Sequence, residues 1–265
     1  MHFAIDDTYG PQIPTQSRYV TAERRTHVGI IFSDQEVSFV REQIRNCLNY
    51  ASELVSCTVK EFHFVDLYNR KAPWDRLPDG GNLLLFEAFC EIYKVYRWPV
   101  IISTIDKRTI EDHPKMQSWG IIDGLDCKKA EDLSLLCLCL KLKMLHKERA
   151  GSLQIYIDEG RKKPGDQFGY SIFHDWPAPY SGVYASSATE PLLQIADLVA
   201  FCINRTTHLQ MKSRRTELDN WFLDMIVNMR INSSDLRTMQ LTLDFGAAEF
   251  DEEHRLDRIE KKLEN

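Results

Sequence analysis

The sequence predicts an α/β fold. Short β-rich runs alternate with segments of helical period, and one run, "WPVIISTID", is apolar at nearly every position. That run, a long helical segment and "SLQIYIDEG" then follow one another as strand, helix and strand, the order of a crossover unit.

Taken in order, "MHFAID" and "THVGIIF" are β-rich runs close enough to pair antiparallel. From Ser33 the period changes to that of a helix, and Ser33 with Glu36 makes the S-x-x-E capping pattern that marks a helix start. "CTVKEFHFVDL" predicts a third strand. "RKAPWDRLPDGG" reads as a loop before a helix through "NLLLFEAFCEIYKVYR", which Pro99 closes. The apolar "WPVIISTID" predicts a strand buried on both faces, in a parallel interior position.

After the irregular "KRTIEDHPKMQSWGIIDG", a helix is predicted from about Cys127 to Arg149, ending before Gly151, with "SLQIYIDEG" as the next strand. "RKKPGDQFGYSIFHDWPAPYSGVYASSATE" reads as a long site-like loop or as short strands. "PLLQIADLVAFCINRTT" follows as a helix with Pro191 in its first turn, and "ELDNWFLDMIVNMRI" as another. No repeat or linker demands two domains. Residues 1–230 are expected to form one domain, with 231–265 a charged extension packed on it or trailing from it.

A hydrophobic fraction of 43% beside 27% charged residues fits an ordinary globular protein. No apolar run approaches the roughly 20 residues that span a bilayer, and the start shows no basic and apolar leader, so neither membrane nor export is expected. Seven cysteines, an odd number set mostly in apolar segments, suit a reducing compartment, and the cytoplasm is the expected location. Cys137 and Cys139 form C-x-C, which reads as core packing rather than zinc. The net charge, 33 − 39 = −6, gives no overall pull on nucleic acid, so any such contact needs a local basic surface. Arg161, Lys162 and Lys163 supply one such cluster, and by themselves they read as solvated loop charge.

The main signal lies in carboxylates. "HFAID", "IISTID" and "LQIYID" each run apolar and stop on aspartate, at Asp6, Asp106 and Asp158, with Asp7 beside the first. Ends of parallel strands share one edge of an α/β sheet, where sites form. Carboxylates brought together there repel unless a cation separates them, and a hard divalent ion is the natural one. Aspartate also simply ends strands and opens turns. Asp197 is harder to explain that way. In "PLLQIADLVAF" it sits beside an apolar stripe where desolvation without a partner is costly, so it should meet a metal or a buried base, with Gln194 one turn away.

In this order the motifs resemble those of the bacterial DUF3800 family, a domain of unknown function in the ribonuclease H-like superfamily. "FAIDDTYG" is similar to the family's "YIDESG" opening, "EFHFVDL" to E-x-H-x-x-x-L, "IYIDEG" to I-x-I-D-E, and "LLQIADLVAF" to the LQxAD helix. The match spans Phe3 to about Arg205, although each motif is short. It implies a ribonuclease H-like mixed sheet with flanking helices, further C-terminal helices, and a carboxylate site holding Mg²⁺ or Mn²⁺. Asp6, Asp158 and Asp197 would ligate the metal, with Asp106 competing for the place beside the first strand. Asp7 or Glu61 would complete the site, His63 would assist proton transfer, and Gln194 and Arg161 to Lys163 would bind substrate. The chain departs from the pattern at Asp7, where the family has glutamate, and in "TYGPQ", which lacks the usual serine and glycine.

The expected activity is two-metal hydrolysis of phosphodiester bonds in DNA or RNA, serving defence against foreign nucleic acid or nucleic-acid turnover. The alternative is a catalytically silent relative that binds nucleic acid or protein. A phosphotransferase of related fold ranks last, because glycine-rich phosphate loops are missing. Aromatic residues around the long loop (Phe168, Tyr170, Phe173, Trp176, Tyr180, Tyr184) would either stack on unpaired bases or cap the core. His174 reads as a loop residue.

Overall fold

The alternating run HFAIDDTY forms β1 (His2–Tyr9), the middle strand of a five-stranded mixed sheet. The computed structural model describes residues 1–11, 14–149, 151–237, 241–242 and 244–263. β2 (Arg25–Phe32) pairs antiparallel with β1, with Phe3 opposite Ile31 and Asp6 opposite Val28. Helices α1 (Val37–Leu54), α2 (Phe64–Tyr68) and α3 (Gly81–Tyr96) intervene before β3 (Val100–Ile105), which pairs antiparallel with β2.

A short α4 (Lys107–Asp112) and a small hairpin of β4 (Ile121–Ile122) and β5 (Leu125–Asp126) lead into α5 (Ala130–His146). The chain crosses over to β6 (Leu153–Asp158), parallel to β1, then adds β7 (Tyr180–Ala185), parallel to β6. Helices α6 (Leu192–Gln210), α7 (Glu217–Met229) and α8 (Ala247–Glu260) close the described chain. The strand order is β3-β2-β1-β6-β7, and β2 alone runs against the others.

Strand period two divides the sheet into two faces. Phe3 and Ile5 of β1 and Leu153, Ile155 and Ile157 of β6 enter the core beneath α5. Ala4, Val28, Ile30 and Phe32 enter the other core, with α1, α3, α6 and α7. The next residues inherit these directions. Asp6 continues the face of Ala4 and Asp158 that of Tyr156, both toward α6, whereas Asp7 continues the face of Ile5, toward α5.

Two elements differ from expectation. β3 lies at the edge of the sheet, not inside it. Its apolar run reflects helices on both faces, since Val100 and Ile102 join one core and Ile101 and Ile105 the other. Its outer edge is covered: Val100 donates to the Asn232 carbonyl at 2.9 Å, Ile102 donates to Asp235 at 2.8 Å, and Lys141 reaches the Ile102 carbonyl at 2.6 Å.

The segment "CTVKEFHFVDL" is not a strand. Phe62 and Phe64 do alternate into the core, but their N–H groups bond side chains of α6, and the chain coils into α2 at Phe64. Alternation here marks one extended approach to a helix, without a strand partner among the described residues.

Elsewhere the expected elements form. Glu36 accepts the Ser33 N–H at 2.8 Å, the side-chain half of the capping pattern, although α1 itself begins at Val37. The long segment after Asp158 contains β7. The C-terminal segment packs on the body: Phe250 joins Tyr19, Val20 and Phe245, and Arg258 grips both oxygens of Asp112. No helix among the described residues is long and apolar enough to cross a membrane.

Gly29 sits in the middle of β2 because the ring of Phe3 lies against it; a β-carbon there would stand 2.0 Å from that ring. Gly29→Ala is expected to cost about 1–3 kcal/mol through forced repacking. Urea denaturation should show a lower midpoint at unchanged slope.

Candidate functional site

The parallel register of β1 and β6 ends at Ile5 with Ile157, so Asp6 and Asp158 follow side by side at the ends of the two central strands. α6 lies across β1, β2 and β6 and brings Asp197 to the same point. Its placement is fixed by buried groups. Glu190, just before the helix, accepts Arg41 Nε at 2.9 Å and Nη2 at 2.6 Å, which ties α1 to the start of α6. Gln194 is fully buried, accepts the Phe62 N–H at 3.1 Å and donates to the Ser187 carbonyl at 2.9 Å. Asp197 accepts the Phe64 N–H at 3.2 Å and faces His63 Nδ1 at 3.5 Å.

The three carboxylates repel. Burial raises the Asp6 pKa well above its usual value, and the charges of Asp197, Asp158 and Asp7 add to it. Asp158 is pushed up to about 6, first by burial and then by Asp197, Glu159 and Asp7, against an opposing backbone hydrogen bond from Glu159. His63 moves the other way. Its hydrogen bond to Asp197 raises it to about 9, helped by the charges of Asp197, Glu61 and Asp66, so the imidazole is a cation at neutral pH. Among the described residues no three His, Cys, Asp or Glu side chains already stand in ligating geometry. Mutual repulsion around a partly open point, not preformed ligation, defines the cluster.

The other expected site residues stand around or away from it. Glu61 accepts the Ser187 hydroxyl on the rim. Asp7 faces α5, where it meets Tyr9, Arg161, Glu131 and Arg25. Asp106 caps α4, accepting the Thr109 N–H at 2.7 Å, at the end of edge strand β3, two strands from β1. Arg161 donates to Glu131 at 3.0 Å and to Asp132, so its guanidinium is engaged within the chain. Lys162 lies over the Tyr184 ring at 5.4 Å, and Lys163 is exposed.

Gln194, fully buried, has both amide ends bonded within the fold. Cys139 lies in the α5 core with Cys137 packed against it, and His174 is exposed. Of the loop aromatics, Phe168, Phe173, Trp176 and Tyr184 are buried, Tyr180 is half-buried and Tyr170 is exposed.

Two anchoring carboxylates escaped the sequence reading. Asp132, 4% exposed, pairs with Arg161, and Glu190 pairs with Arg41. The signal that singled out Asp197 applies to both, since each is an acid set against an apolar helical run, "DLSLLCLCL" and "EPLLQIA". No family model matches the chain, and no curated protein matches it.

The Asp158 carboxyl carries a pH signature. Its folded value of about 6 exceeds the usual 3.8, so its charge opposes folding above pH 6, and that penalty is relieved as pH falls from about 6 to about 4. Asp158→Asn in metal-free buffer is expected to be about 1–2 kcal/mol more stable than wild type at pH 7. Thermal melts at the two pH values should show the gain disappearing near pH 4.

Proposed function

We propose that the chain is a divalent-metal-dependent nuclease of ribonuclease H-like fold, related to the DUF3800 proteins and working on DNA or RNA in the cytoplasm. The observation that carries this reading is the convergence of Asp6, Asp158 and Asp197 on one face, at the ends of the central parallel strands, with no neutralising arginine or lysine beside them in the charges that shift Asp6 and Asp158. A five-stranded order with only the second strand reversed, and acids on the first strand, its parallel neighbour and the following helix, supports the superfamily assignment.

Hard oxygen donors in a repelling group fit Mg²⁺ or Mn²⁺, which Asp6, Asp158 and Asp197 would hold, with Glu61 a further acid beside His63. Such an ion, when bound, supplies charge neutralisation and polarises a phosphodiester oxygen. The chain's own groups do the remaining work. Asp6 and Asp158, set side by side by the β1–β6 register, would serve as ligands, and the repulsion that raises both in the metal-free protein would be relieved by the ion. His63, raised to about 9 by Asp197 in the metal-free protein, would serve as a proton donor to a phosphate oxygen or to the leaving oxygen. Asp197 orients His63 through Nδ1 and leaves Nε2 to face the substrate.

A second reading, a catalytically silent module that binds nucleic acid or protein, draws on one observation: Asp197 is already engaged by Phe64 N–H and His63. Calorimetric titration with Mg²⁺ and Mn²⁺, run beside cleavage assays on single- and double-stranded DNA and RNA, separates the two. The nuclease reading expects metal binding and cleavage in the wild type, and loss of at least about a hundredfold in cleavage rate in Asp6→Asn and Asp197→Asn. Folded wild type that neither binds metal nor cleaves, with nucleic acid present, leaves the binding module.

A further inference from the structure

Beyond Asp158, on the α5 side of the same edge, the surface changes character. The β4–β5 hairpin turns through Asp123 and Gly124, both at positive φ (49° and 78°), the two-residue turn that Asp-Gly favours. Two groups seat its tip. The Asp123 carboxylate accepts the N–H groups of Ser171 and Ile172 at 2.8–2.9 Å, and Lys162 Nζ lies 3.1 Å from where a β-carbon on Gly124 would stand. The hairpin therefore bridges the turn after β6, four residues past Asp158, and the loop that carries Tyr170.

Around this docked tip, large side chains point to solvent. Tyr170 is 76% exposed, Ile121 73% and Trp119, at the base of the hairpin, 43%. Tyr9, at the end of β1 and three residues past Asp6, is 52% exposed. Aromatic residues held out on ordered backbone lose little freedom on contact, and the flat faces of unpaired bases are a matching partner.

The charge nearby fits the same partner. The amino groups of Lys115, Lys128, Lys129, Lys162 and Lys163 make no ion pair among the described residues. The neighbouring acids bond backbone and not these lysines: Asp126 accepts the Lys128 N–H at 3.1 Å, Asp166 that of Lys163 at 3.2 Å, and Asp123 those of the Tyr170 loop, while Glu159 and Asp166 remain exposed. In a chain of net charge −6, four exposed lysines and the half-buried Lys162, interleaved with aromatics, supply unpaired positive charge to this face.

We propose that the hairpin and the Tyr170 loop form a platform for single-stranded nucleic acid, on which Trp119 and Tyr170 stack bases while the lysines follow the backbone toward Asp6, Asp158 and Asp197. The proposal rests on the nuclease reading for its direction toward the acids, but the platform is testable by binding alone. A duplex hides the base faces that these side chains contact, so the platform selects unpaired strands.

The test is fluorescence anisotropy with labelled oligo(dT), oligo(U) and a mixed-sequence DNA duplex, using Asp6→Asn protein in EDTA so that no probe is cleaved. Trp119→Ala and Tyr170→Ala are each expected to weaken single-strand binding about five- to a hundredfold, with Trp119→Phe restoring most of it and duplex binding little changed. Both side chains are exposed, so melting temperatures should stay at the parent value, and Lys162→Ala should flatten the salt dependence.

Equal single-strand binding by parent and both alanine variants overturns the platform, as does duplex bound more tightly than single strands or no binding of any probe. The nuclease reading fails separately. Aromatic-dependent binding by a wild type that cleaves nothing keeps the platform and removes the enzyme, whereas metal-dependent cleavage unaffected by Trp119→Ala and Tyr170→Ala does the reverse.

Discussion

The parallel pairing of β1 with β6 is the constraint on which the candidate site depends. Its register sets Asp6 beside Asp158, and the pleat aims both at α6 rather than α5. A shift of one residue would turn Asp6 to the other face and replace it with Asp7. Nothing in the carboxylates favours this register, since they repel. It is held by Phe3, Ile5, Ile155 and Ile157 beneath α5 and by Ala4 beneath α6, so the core on both faces imposes the charge cluster.

The same logic extends to α6. Asp197 meets Asp6 only if the helix is fixed in both rotation and translation. Arg41 with Glu190 fixes its start, and Gln194 fixes its rotation by taking the Phe62 N–H and the Ser187 carbonyl. These are groups of high cost if left unpaired: Gln194 is fully buried, Glu190 nearly so and Arg41 half-buried. The residues that hold the helix lie a few positions before the one that faces the site. Rigid placement of mutually repelling groups is how a fold stores destabilisation at one point and offsets it elsewhere.

Much of this was legible in the sequence, for physical reasons that differ between residues. Asp6, Asp158 and Asp197 stood out because each interrupts or ends an apolar run whose period fixes its direction. Asp106 ends a similar run yet caps α4, because strand order, which decides whether two strand ends meet, is a long-range property that no local pattern carries. The stretch around Phe62 and Phe64 alternates like a strand, but its backbone partners are Gln194 and Asp197, more than 130 residues away. Arg161 read as a free cation for the same reason, since Asp132 reaches it only through the crossover that sets α5 against the sheet.

The two adjacent aspartates at the end of β1 enter different surroundings on the two faces of the sheet. Asp7 enters a group crossed by arginines: Glu131 and Asp132 meet Arg161, and Arg25 stands nearby, although burial still raises the Asp7 pKa. Asp6 enters a group of three carboxylates faced by His63, an exposed side chain paired to Asp197. One sheet thus sets two acidic groups on opposite faces of β1, one crossed by Arg161 and Arg25 and the other faced by His63. The arginine-bridged group anchors the turn that follows Asp158, because Glu131 and Asp132 hold Arg161 of that turn, and through it the position of that carboxylate.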